Sequence, residues 1–163
     1  MRTLKDLLLA EPKLTLAVAE SLTCGQLQAL IGAEPGASAY FLGGITTYSL
    51  AQKARHLGVD REHAGAVNSV SPRVAEEMAR GVRTLFGSAV GAATTGYAER
   101  SPADGVAAPF AYWAIAYPRH GGVALAEGRV ECPGLTRIEV QRRVAETVVA
   151  ELADLLGRLR AQT

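Results

Sequence analysis

The sequence predicts a single-domain α/β sandwich of three layers, a mixed β-sheet with helices on both faces. Three observations predict it. Apolar runs with strand character alternate along the chain with stretches of helical periodicity. The run Ala89 to Thr95 is built of small and β-branched residues, as in a strand buried on both faces. The 163 residues hold 48% hydrophobic and 20% charged side chains with no composition shift that marks a linker, which suits one domain with a real core.

The elements follow in order. Leu4, Leu7 and Leu8 sit at helical spacing, and Pro12 stops that helix. The apolar run Leu7 to Ala10 is too short for a signal peptide, and no segment approaches the length of a membrane span. Leu14 to Ala19 reads as the first strand, followed by a turn from Glu20 to Gly25 and a helix from Gln26 to Ala33. Pro35-Gly36 breaks that helix. Phe41 to Ser49 reads as a strand, and Ala51 to Leu57 as a short helix closed by Gly58.

Ser71 is an N-cap with Pro72 at the first helical position, and Val74, Met78, Val82 and Leu85 form an apolar stripe that ends at Gly87. After the strand Ala89 to Thr95 comes a polar loop, Gly96 to Pro109. Phe110 to Tyr117 and Gly122 to Cys132 read as a hairpin or as neighbouring strands. A final helix from Arg137 to about Leu159 carries its apolar side chains on one face.

The net charge of +1 gives no reason to expect direct nucleic-acid or membrane-surface binding. Cys24 and Cys132 lack CxxC spacing, so reduced thiols in a cytoplasmic protein are expected, without a structural metal.

Four segments could carry chemistry. The turn with Ser21, Thr23 and Gly25 places hydroxyls at a helix start, which is either an anion cradle or a plain helix N-cap. Ser38, with Tyr48 and Lys53 behind it, could form a serine nucleophile with a lysine base if burial lowers the lysine pKa; otherwise Lys53 is a surface residue. Thr95-Gly96 ends a strand, where ligands of open α/β sheets collect, or simply begins a turn. Arg137 near the start of the last helix could hold a phosphate or be solvated.

Taken in order, these segments resemble the CinA C-terminal domain, the nicotinamide-nucleotide amidohydrolase family. Ala19-Glu20-Ser21-Leu22-Thr23-Cys24-Gly25 is similar to its AES-x-TGG turn, and Pro35 to Phe41 to its PGSSAYF segment. Gly43 to Ser49, Lys53 and Leu57-Gly58-Val59 are similar to its GG-VTYSNEAK and LGV stretch. Gly65-Ala66-Val67 with Ser71 and Val74 to Ala79 is similar to its HGAVSEEVA-EMA helix, and Thr95-Gly96 to the start of its TGIAGP loop.

The resemblance implies hydrolysis of the nicotinamide mononucleotide carboxamide, giving nicotinic acid mononucleotide and ammonia with no cofactor. It implies Ser38 as nucleophile with Tyr48 and Lys53 as its partners, and leaves Ser21, the other serine of the site, as the alternative nucleophile. Ser21, Thr23, Gly25, Thr95 and Gly96 would line the substrate site, and Arg137 would hold the phosphate. It also implies a homodimer.

The segment Thr95 to Gly105 departs from the glycine-rich TGIAGPGGG loop, with Glu99 and Arg100 intruding, and Cys24 stands where the family has glycine. These departures cluster around the ligand site and leave open a non-catalytic binding or regulatory relative of the competence or damage-inducible type. A hydrolase of another amide or ester is a third reading.

Overall fold

The computed structural model describes residues 2–162. Five strands form one sheet in the order β2-β1-β3-β4-β5. These are β1 (Leu16–Glu20), β2 (Phe41–Thr46), β3 (Val90–Tyr97), β4 (Phe110–Arg119) and β5 (Gly122–Glu131). β2, β1 and β3 run parallel, whereas β4 and β5 join antiparallel, so the sheet is mixed.

Among the described residues six α-helices cover it: α1 (Leu4–Leu9), α2 (Gln26–Gly32), α3 (Leu50–Leu57), α4 (Arg61–Ala66), α5 (Pro72–Phe86) and α6 (Arg137–Ala161). The strand period of two sorts β1 between the layers. Leu16 and Val18 pack under α1, α2 and α6 with Leu8, Leu27 and Leu152. Ala17 and Ala19 pack under α3, α4 and α5 with Leu57, Ala64 and Met78. The result is the expected three-layer sandwich. Among the described residues no helix is long and apolar enough to cross a membrane.

Small residues on the second face let α5 lie close to the sheet, and one glycine lets it meet α3. A Cβ on Gly81 would stand 2.1 Å from the Leu57 carbonyl oxygen, so α5 and the end of α3 touch through backbone. That contact fixes α3, which carries Lys53.

Several boundaries differ from expectation. β1 begins at Leu16 because the Leu14 N–H turns back to the Leu8 carbonyl. β2 ends at Thr46, and Ser49 leaves the sheet to cap α3, accepting from the Gln52 N–H. β3 runs two residues past Thr95 to Tyr97, and the loop after it holds a 3₁₀ turn at Pro102–Asp104. α4, capped by Asp60, is an addition to the expected elements; six residues are too few to show periodicity. β4 and β5 form a hairpin through His120 and Gly121, both left-handed, as two-residue hairpin turns require.

Candidate functional site

The chain leaves β1 toward one face for α2 and leaves β2 toward the other for α3. That reversal opens a crevice outside the carboxyl ends of the parallel strands, where open α/β sheets bind ligands. A cavity of about 460 Å³ lies there. Its walls come from the residues after β1, the start of α3, the α4–α5 connection, the end of β3 with its loop, and Arg137 of α6.

Lys53 and Ser21 meet in this cavity. Lys53 lies one turn before Leu57 on α3, on the face turned to the sheet, and only 1% of its surface is exposed. Ser21 follows the last residue of β1 and is 7% exposed. The Lys53 Nζ stands 2.8 Å from the Ser21 Oγ. It donates to the Thr47 carbonyl at 2.8 Å and to the Tyr48 carbonyl at 3.0 Å. Among the described residues no carboxylate pairs with it. Burial therefore drives its pKa down to about 8.

These partners dictate what the amine can do. A carbonyl oxygen accepts and never donates. In the neutral amine the two N–H bonds are taken by Thr47 and Tyr48, so the lone pair faces the Ser21 hydroxyl. That is the arrangement of a general base poised on a serine nucleophile.

Ser38 does not join this pair, which corrects the expected Ser38–Lys53 contact. Ser38 is exposed on the 3₁₀ turn Ala37–Ala39 that enters the amino end of β2, whereas Lys53 sits beyond its carboxyl end. Six strand residues lie between, a span of about 16 Å at the usual strand rise. Tyr48 does reach the site, but its main-chain oxygen holds Lys53 while its phenol points to the mouth.

Of the two readings of the turn after β1, anion cradle or plain helix N-cap, the geometry does not favour the cradle. The Glu20 carboxylate, fully buried, accepts from the N–H groups of Gly25, Leu27 and Gln28 at 2.8–3.0 Å. The N-terminus of α2 thus already carries an anion from its own chain. Gly25 is the left-handed N-cap of α2 and lies outside the cavity wall. Thr23 is buried behind the wall, its hydroxyl 2.8 Å from that of Thr94. Thr95 and Gly96 do line the cavity, but the Thr95 hydroxyl donates to the Ser69 carbonyl at 2.7 Å. Its proton is thereby committed.

Arg137 lies at the mouth. Its guanidinium donates to the Tyr48 phenol oxygen and, at 3.0 Å, to the Glu99 carboxylate. The cavity also draws on Asn68 and Ser69, which sequence reasoning left out. Both have left-handed backbone, uncommon outside glycine, and Asn68 donates to the Tyr97 phenol oxygen. A polar Asn-Ser pair just ahead of the Ser71-Pro72 helix start was the available signal. For Glu20 the signal was an acidic residue closing an otherwise apolar strand. Among the described residues, no group of three His, Cys, Asp or Glu side chains is gathered to hold a metal ion.

Residues 2–156 match the family model described as the CinA C-terminal domain. A CinA-like protein of Chlorobium limicola is 36% identical over 159 residues, covering 94% of this chain and 37% of that protein. A CinA-like protein of Frankia casuarinae is 47% identical over 97 residues, covering 60% of this chain and 22% of that protein. The chain therefore spans well under half the length of these relatives. The crystal structure of a competence-damaged protein (CinA) superfamily protein from Klebsiella pneumoniae superposes with a TM-score of 0.85 at 27% identity, covering 95% of this chain and 94% of that one. Family model, relatives and fold agree: the chain belongs to the CinA C-terminal domain family.

Proposed function

We propose that this chain is an amidohydrolase that converts nicotinamide mononucleotide to nicotinic acid mononucleotide and ammonia, with Ser21 as nucleophile and Lys53 as its base. The observation that carries this reading is the buried 2.8 Å contact between Lys53 Nζ and Ser21 Oγ on the cavity wall.

Neutral Lys53 takes the hydroxyl proton as Ser21 Oγ attacks the carboxamide carbon, forming a tetrahedral oxyanion. When the C–N bond breaks, the Lys53 ammonium returns that proton to the leaving nitrogen and ammonia departs. The acyl group is left as an ester on Ser21. A water then attacks the ester, giving its proton to Lys53, and the carboxylic acid leaves as Ser21 recovers its hydroxyl proton. Tyr48 supports the cycle through its carbonyl, which orients the amine. Burial serves the chemistry directly: with a pKa of about 8, roughly a tenth of the amine is neutral at pH 7 and has a lone pair to offer, against well under about a thousandth for an exposed lysine.

The test is ammonia release from nicotinamide mononucleotide by the parent chain, Ser21→Ala and Ser38→Ala. The expected result is a loss of at least about a thousand-fold for Ser21→Ala, with Ser38→Ala close to the parent. A parent chain that releases no more ammonia than Ser21→Ala overturns the reading.

A second reading, nucleotide binding without turnover, draws on the Glu99 carboxylate that holds Arg137 at the mouth. The names of the relatives also speak of competence and damage and not of a reaction. Calorimetric binding of the mononucleotide without ammonia release favours it; robust turnover removes it.

A further inference from the structure

We propose that Glu99 is a charge gate: its carboxylate competes with an anionic group of the substrate for the Arg137 guanidinium, and so sets how strongly the site favours a phosphorylated amide over the same amide without phosphate. This deepens the amidohydrolase reading and rests on it.

Arg137 is tied to the reactive centre through one residue. The phenol of Tyr48 accepts from the guanidinium, and the carbonyl of Tyr48 accepts from the Lys53 amine that faces Ser21. Ser21 and Arg137 line the same cavity, so a substrate with its acyl carbon at Ser21 shares that space with the guanidinium. Of the five N–H donors on an arginine, only some are taken by Tyr48 and Glu99, so room for an anion remains.

The Glu99 contact is built to yield. It uses one carboxylate oxygen at 3.0 Å, and the two side chains are 43% and 70% exposed. Such a pair is weak and screened by salt. It still places a negative charge where a phosphate would arrive, and like charges at that separation repel.

The ion pair also borders two spaces. Glu99 and Arg137, with Arg100, line both the main cavity and a side cavity of about 300 Å³ that is walled further by Ala107, Pro109, Gly134 and Thr136. A displaced Glu99 side chain has somewhere to go without disturbing a packed core.

The experiment uses ribose 5-phosphate as the probe, titrated by calorimetry into the parent chain, Glu99→Gln, Arg137→Gln and the double variant at low and high salt. Glu99 is exposed, so Glu99→Gln leaves the fold intact, which circular dichroism checks. The expected result is binding roughly three- to five-fold tighter in Glu99→Gln at low salt, the size of a surface ion pair, with the gain shrinking at high salt. The gain vanishes when Arg137 is also replaced, and ribose without phosphate binds both chains equally. In turnover assays the KM for nicotinamide mononucleotide falls by the same factor, while that for nicotinamide riboside stays.

No difference between parent and Glu99→Gln toward ribose 5-phosphate, absent binding included, overturns the gate. A binding difference without ammonia release by the parent keeps the gate and rejects the amidohydrolase reading. Turnover by the parent without a binding difference does the reverse.

Discussion

Lys53 is a buried amine held by two acceptors that cannot give a proton back and one hydroxyl that can. Its chemistry follows from which form is present. With a pKa near 8, the neutral fraction grows as pH rises toward and past that value. Under the proposed reaction, kcat/KM for nicotinamide mononucleotide climbs about tenfold per pH unit below pH 8 and levels above it. Lys53→Met removes both the activity and the pH dependence. A flat profile from pH 6 to 9 in the parent chain would rule out Lys53 as the base.

At the scale of elements, the end of β1 and the start of α2 form one unit. A glutamate usually caps a helix from within its first turn. Here Glu20 comes from the preceding strand and satisfies three main-chain donors of α2 at once. Ser21, the next residue, takes its place from the same turn. Glu20→Ala leaves those donors without their acceptor in a buried setting, a loss of about 2 to 4 kcal/mol. Urea unfolding of the parent and Glu20→Ala measures it, and a shift below about 0.5 kcal/mol would show that water replaces the carboxylate without penalty. The helix period was plain in α5 and α6, whose apolar stripes are long. It was not in α4, where six residues expose too little pattern, nor at the end of β2, where Ser49 has strand neighbours but serves as the cap of α3.

At the scale of the whole molecule, burying an amine links the site to stability. The Lys53 pKa lies at about 8 in the folded chain and near its ordinary 10.5 when unfolded. Between those values the unfolded chain binds the extra proton, so stability rises with pH across that window. Below pH 8 both states are protonated, and the folded chain bears the full penalty of a buried charge, of order 3 kcal/mol. Above about 10.5 both are neutral and the penalty is gone. Lys53→Met carries no such term. The stability of the parent relative to Lys53→Met should therefore improve by that amount between pH 8 and 10.5, read from denaturant midpoints at each pH. A difference that stays constant across the window would place the amine in water.

The sequence by itself determined the alternation of strands and helices, the mixed sheet with helices on both faces and the family, because hydrophobic periodicity and ordered motifs are local patterns. It also named Lys53, Tyr48, Ser21, Thr95 and Arg137 as residues to watch. What it could not decide was which serine meets Lys53. Ser38 is fifteen residues from Lys53 along the chain and Ser21 is thirty-two. The parallel pairing of β1 with β2 reverses that order in space, since it brings both carboxyl ends to one edge and sends the turn with Ser38 to the other. Tertiary structure likewise decided that the helix N-terminus, open to reading as an anion cradle or a plain cap, is filled by Glu20, and that Arg137 meets Glu99. These are contacts across strands and helices, and no local pattern in the chain encodes their distances.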